Sequence, residues 1–300
     1  MATPATSAEQ AQLTQETLAS LMLPLLHALW GLFDPNQIDR SVPQFRTAFS
    51  AVVNKYARAS AAQSLQHYRA VRLDAGVTGR PQIPVLDVVP EGFLDEAMVE
   101  ALAEAEADIA KATAFLDSQA QHLVLEQGRR QMLTAVALDR EAKGWARIPN
   151  ADACSFCLML ALRAGSGFLY KSQKSASFKA HTKQPNGSGG DCRCTAEPVF
   201  GRYEPPARVR EAQKVWDEAT KGRTGHDART AFRQAIEGRD VKGAKGSKRH
   251  KVIAKGEGRT PENQRAQLRI LQAMPPAKTP EAAQWRVDRI KEIRAYLAAQ

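Results

Sequence analysis

Apolar residues recur along this chain mostly three and four positions apart, the period of a helix that hides one side. Leu18, Leu21, Leu25, Leu29 and Leu32 follow that rule within residues 7–33, and Pro35 ends the element. Ser41 as a cap with Pro43 in the first turn predicts the start of a second helix, with Phe45, Phe49, Val52 and Tyr56 along one side. Residues 78–90, TGRPQIPVLDVVP, predict a proline-rich connector with an extended run from Val85 to Val89. Leu94, Met98, Leu102, Ala105, Ile109, Ala112, Leu116, Ala120 and Leu123 come next. Their mean spacing of about 3.6 predicts one long helix continuing to about Lys143. Its first half is acidic, from Glu91 and Asp95 to Asp108, which reads as a solvated face placed favourably near a helix N-terminus.

The pattern changes between residues 145 and 203, where Gly, Ser, Cys, Pro and aromatics replace the alanine-rich helical period. QPNGSGGD (184–191) is a loop and AEPVF (196–200) a short strand. Pro205 and Pro206 then open a helix carrying Val209, Ala212, Trp216 and Ala219 on one face. Thr260-Pro261-Glu262 and Thr279-Pro280-Glu281 announce two more, each with a threonine cap, a proline in the first turn and an acid facing the dipole. Trp285, Ile293 and Leu297 give the last helix its apolar side.

The predicted fold is therefore mainly α, with long helices flanking a small Cys-rich α+β module and a flexible basic segment near the C-terminus. The expected organisation is a helical N-terminal domain (1–144), a Cys/His-rich module (145–203), a helical extension (204–237), a basic flexible linker (238–260) and C-terminal helices (261–300).

Charge adds a partner class. The 300 residues carry a formal net charge of +10. The linker alone holds eight Lys or Arg against two acids, a net +6, with five glycines. Lys242, Lys245, Lys248, Arg249, Lys251 and Lys255 are the candidates for nucleic-acid binding: each cation that meets a phosphate releases a counterion and gives affinity without sequence preference. A solvated hinge between helices is the alternative. The most apolar stretch, residues 21–33, is too short to span a bilayer and contains Pro24 and His27. The first twenty residues carry Glu9 and Glu16 and no Lys or Arg, so no secretory leader and no membrane partner are expected.

All four cysteines fall within residues 154–194. Cys154-x-x-Cys157 lets two sulfurs face one ion from a tight turn, and Cys192-x-Cys194 brings two more, with His181 between the pairs. Cys154, Cys157, His181, Cys192 and Cys194 are thus candidate ligands of a metal ion, zinc first, which takes four such donors in a tetrahedron. Disulfides and buried core thiols remain open for the same residues. No G-x-S-x-G, H-E-x-x-H, P-loop or G-x-G-x-x-G motif is present. His27, His67 and His122 fall within predicted helices as packing or surface residues, so no catalytic residue is assigned.

Taken in order, Trp145, Arg147, Cys154, Cys157, Arg163, Gly165, Tyr170, His181, Cys192, Cys194 and Pro198 resemble the Mu F-like minor head proteins of tailed bacteriophages, most closely the type found in phages of actinobacteria. The resemblance covers residues 145–203, and it departs at one point: ten residues separate His181 from Cys192, where the family histidine lies close before C-x-C. It implies a virion protein made in the host cytoplasm and present in few copies in the phage head. It would act in head assembly beside the portal or major capsid protein, with packaged DNA as a further contact. A capsid maturation protease is the enzymatic alternative, and a metal-stabilised, non-specific DNA-binding protein a third.

Overall fold

A computed structural model describes residues 7–150, 153–171, 182–183, 189–190, 193–238 and 260–300. The chain is mainly α. Helices α1 (Ser7–Leu21), α2 (Leu23–Leu29), α3 (Ile38–Asp74), α4 (Glu91–Ala105) and α5 (Ile109–Leu138) form the N-terminal bundle. Strand β1 (Gly144–Ile148), α6 (Ser155–Gly165), the two-residue strands β2 (Thr182–Lys183) and β3 (Gly189–Gly190), and β4 (Thr195–Val199) make the module. Helices α7 (Ala207–Ala219), α8 (Gly225–Ile236), α9 (Pro261–Ala273) and α10 (Pro280–Ala298) complete the chain.

The long helices α3 and α5 run side by side in the same direction. The Ser60 hydroxyl donates to the Val124 carbonyl at 2.7 Å, and further along Tyr68 and Arg72 both donate to Asp139, at 2.5 and 2.7 Å. Two apolar clusters lie along this pair. Phe45, Phe49 and Val53 of α3 pack with Leu94, Met98 and Leu102 of α4, Leu116 and Leu123 of α5, Ile270 and Leu271 of α9, and Ile293 of α10. Nearer the helices' C-terminal ends, Leu65, Tyr68, Met132 and Leu133 pack with Trp145, Leu158, Leu162, Tyr170, Phe200, Val209 and Phe232. The module therefore sits on one end of the bundle and shares its core.

Three helical expectations need correction. The predicted long helix is two helices: Glu106, Ala107 and Asp108 turn the chain, and the Asp108 carboxylate caps α5 by accepting the Lys111 N–H at 3.0 Å. Ala105 and Ile109 are four apart whether the helix continues or turns, so the apolar period survives a break that it does not reveal. The second helix begins at Ile38 rather than after Ser41, and Pro43 lies inside it. There the Ser41 hydroxyl donates to the Asp34 carbonyl at 3.0 Å instead of capping. In the first segment Leu21, Leu25 and Leu32 are exposed, and the buried side of α1 is Ala8, Gln12, Gln15 and Ala19.

That last exchange has a packing cause. Gln15 donates to the Ser60 carbonyl at 2.9 Å and to the Ser64 hydroxyl at 2.8 Å, so α1 meets α3 through hydrogen bonds rather than leucines. Gly128 of α5 closes the junction: a Cβ there would lie 2.6 Å from Ser60 Oγ, 2.7 Å from Gln15 Oε1 and 2.9 Å from Ser64 Oγ. Gly128→Ala should lower the unfolding free energy by about 1–3 kcal/mol through overpacking. Urea denaturation measures it, and an unchanged midpoint would mean the three side chains move aside freely.

The acidic stretch is not uniformly solvated either. Asp95 is fully buried, accepting from Arg46 Nε at 2.8 Å and from Arg286 Nη2 at 2.7 Å. Glu91 accepts from Arg46 and from the backbone N–H groups of Lys278 and Thr279, at 2.7 and 3.1 Å for the latter two. Burial alone would raise the Glu91 carboxyl; Arg46 and those two N–H groups outweigh it and hold it below its usual range. This cluster fastens α10, and with it α9, to α3 and α4. Both C-terminal helices begin as the sequence predicts: Thr260 accepts the Asn263 N–H at 3.1 Å and Thr279 the Ala282 N–H at 3.2 Å. Among the described residues, no helix is long and apolar enough to cross a membrane.

Candidate functional site

Strand β1 pairs antiparallel with β4, matching Trp145 with Pro198 and Arg147 with Ala196. Trp145 is also bonded from its other side: its N–H donates to the Tyr170 carbonyl and the Tyr170 N–H returns to Trp145, both at 2.9 Å. The two rings stack with centroids 4.5 Å apart. Gly144 permits this approach. Its φ is +141°, and a Cβ there would sit 2.6 Å from the Tyr170 carbonyl oxygen.

Around that pair the sheet and α6 gather cations and sulfur. The Arg163 guanidinium lies 5.1 Å from the centre of the Tyr170 ring. The Tyr170 hydroxyl donates to the Leu160 carbonyl at 2.9 Å, tying the ring to α6. Burial raises the Tyr170 hydroxyl pKa against the opposing pull of Arg147 and Arg163, and Cys194 adds to the rise. Arg147 is fully buried, and buried Arg129 of α5 donates through Nε to the Cys194 carbonyl at 2.6 Å.

Cys154 is the N-cap of α6. Its backbone is extended, and its Sγ accepts the Cys157 N–H at 3.5 Å. That contact turns the positive end of the Cys157 N–H toward the sulfur and satisfies one of the helix's otherwise unpaired first-turn donors. Cys157 and Cys194 are buried within the second apolar cluster, and Cys154 packs against it. Cys194 directly precedes β4, where Thr195 pairs with Ile148, so it enters the sheet at the end from which the chain leaves for Cys154. Three of the five sequence-derived ligands thus lie in or against the second apolar cluster. His181 and Cys192 lie outside the described residues, as do Lys242, Lys245, Lys248, Arg249, Lys251 and Lys255. Among the described residues, no three His, Cys, Asp or Glu side chains are grouped closely enough to hold a metal ion. What the described residues offer is a capped C-x-x-C turn, with a third thiol in the apolar cluster against which that turn packs.

Sequence reasoning missed two anchors. Arg129 pairs locally with Glu126, three residues before it, but the bond that ties it to the module runs to a carbonyl 65 residues away and leaves no mark in the nearby sequence. His67 of α3 meets Glu197 of β4 at 2.6 Å, both nearly buried, and this pair pins the sheet to the bundle. The cavity beside them, which Ser64 also lines, measures about 20 Å³. It has room for one water and none for a substrate.

No curated protein and no solved structure matches the chain. A family model described as VG15 protein matches residues 2–237, taking in the bundle, the module and α7–α8 while leaving out α9 and α10. With a match spanning well over half its length, the chain belongs to the VG15 protein family, a viral gene-product family that points to a phage protein.

Proposed function

We propose that this chain is a minor capsid protein of a tailed-phage head, of the Mu F-like kind, acting in head assembly near the portal. The observation that carries the reading is the clustering of the motif. Trp145, Arg147, Cys154, Cys157, Arg163, Tyr170, Cys194 and Pro198 belong to one small unit of sheet, helix and stacked rings. That unit lies within the part of the chain that matches a viral gene-product family. The exposed helices supply surface for the portal or major capsid protein, and the Lys242–Lys255 segment supplies charge for packaged DNA. Zinc, held by cysteines of the set Cys154, Cys157, Cys192 and Cys194 with His181 as the further candidate, would act as a cross-link of the module and would carry no reaction.

A phage bearing an early stop codon in this gene should fail to produce DNA-filled heads in a host that does not suppress the codon. A plasmid copy of the gene should restore them. Undiminished particle yield without the protein would overturn the reading.

A further inference from the structure

We infer that the outward leucine seam of α1 and α2 docks a second copy of this chain, giving a two-fold dimer. Met22, between the two helices, and Leu29 and Trp30, after them, are in the right-handed helical region, so the chain follows one helical path from Ser7 to Leu32. That path carries two seams. Ala8, Gln12, Gln15, Ala19, Met22, Leu26 and Leu29 follow alternating steps of four and three, and all are buried. Leu18, Leu21, Leu25, Ala28 and Leu32 repeat such steps one position away, about 100° around the axis. This second seam faces out: Leu21 is 57% exposed, Leu25 41% and Leu32 39%, with Ala28 exposed and Leu18 half-buried. Alternating steps of three and four are the spacing by which one helix packs along another, so the occupant it fits is a helix.

Charge selects the second copy. Residues 17–33 are the longest stretch of the chain without Asp, Glu, Lys or Arg. Across a two-fold contact a surface meets itself, so any charge on it would face its like. A seam with none suits self-association of a chain whose net charge is +10. The chain's own residues 239–259 fit poorly, because their eight Lys or Arg would find no acid along it. Size is self-complementary as well: an antiparallel pairing that sets Leu21 against Leu25 of the second copy also sets Leu18 against its Ala28, a large residue against a small one. From Leu18 to Leu32 the seam is about 21 Å long. Two heptads bury less than the roughly 800 Å² per partner of a standard interface, so the dimer should be weak, with Kd on the order of 10 µM. The inference stands apart from the head-assembly reading, because the dimer forms in solution and needs no virion.

The test is sedimentation velocity of the full-length, reduced protein, from about ten-fold below that Kd to about ten-fold above it. The unmodified chain should pass from monomer to dimer over this range. Leu21→Glu with Leu25→Glu should weaken association about ten-fold or more, because each seam would then bury unpaired charge. Leu13→Glu, at a side chain 50% exposed on the same helix but outside the seam, should leave the dimer unchanged. Chains carrying Leu21→Glu mixed with chains carrying Leu25→Lys should associate where neither does alone. All these side chains are exposed, so melting curves recorded on dilute monomer certify the fold, with Leu21→Ser and Leu25→Ser as the milder pair. An unmodified chain that stays monomeric throughout, a dimer that survives the paired glutamates, or a mixture that fails to associate would each overturn the inference. A monomer that instead floats with phosphatidylcholine vesicles, and ceases to with the paired glutamates, would overturn it in favour of a lipid surface.

Discussion

Asp95→Asn should lower the unfolding free energy by about 3–5 kcal/mol, the usual cost of removing one partner from a buried ion cluster. Asp95 is the fully buried carboxylate that two arginines from distant parts of the chain share, Arg46 of α3 and Arg286 of α10. Asparagine keeps the shape and one acceptor but leaves two guanidiniums with less charge to answer. The helix released first should be α10, since Arg286 holds it through Asp95 and the Pro275 carbonyl. Urea denaturation followed by tryptophan fluorescence measures the loss, and limited proteolysis should show residues 260–300 cleaved before the bundle. A loss below about 1 kcal/mol would mean that the charge on Asp95 does little to hold α10 in place.

Two carboxylates set an acid limit, Glu91 in this cluster and Asp139 beside Tyr68 and Arg72. Glu91 and Asp139 both have carboxyl pKa values below the ordinary range. Burial pushes each the other way. For Asp139 the bonds from Tyr68 and Arg72 and the Glu141 N–H prevail over it, as Arg46 and two backbone N–H groups do for Glu91. A carboxylate held below its unfolded value stabilises the fold fully above that value. The benefit drains away as pH falls through the lowered one. Stability should therefore be level above about pH 5 and fall steeply below about pH 4.

The second large effect concerns sulfur. Reduced protein purified without chelator should carry one zinc per chain, and Cys194→Ser should lose both the metal and the fold of the module. Cys194 is buried in a cluster that also holds Cys157, Trp145, Tyr170 and Phe200, so its failure reaches the shared core. Structural zinc contributes enough free energy to decide whether such small units fold at all. A serine in an ordinary buried site costs only about 1–3 kcal/mol. Chelation separates the cases. With metal present, a chelator should lower the melting temperature of the unmodified protein by on the order of 10 °C. Melting that ignores chelator, in protein free of metal by elemental analysis, would leave the cysteines as packing residues.

What could be read from the sequence, and what could not, divides along a physical line. Local chemistry was legible. Thr260 and Thr279 cap helices that begin at the next residue, AEPVF lies almost wholly within β4, and Pro206 stands at the start of α7. The mainly α class followed from the helical period. Direction in space was not legible. Leu21 keeps helical spacing yet faces outward, because the inward side of α1 is chosen by Gln15, Ser60 and Ser64, whose bonds span 45 residues or more. Asp95 looked like its exposed neighbours because its partners lie 49 and 191 residues away. For the site, the order of Trp145, Arg147, Arg163 and Tyr170 in the chain pointed to one unit. Stacking, bridge and cation contact give that order a geometry. Arg129 and the pairing of His67 with Glu197 join the module to the bundle through contacts with no local trace.

The reading of this chain as a head component stands on whether it belongs to the particle. Quantitative mass spectrometry of gradient-purified, nuclease-treated heads tests that most directly. Peptides from this chain should appear at a small, fixed number of copies per head and persist through a high-salt wash. Their complete absence from intact, DNA-filled heads would contradict the account.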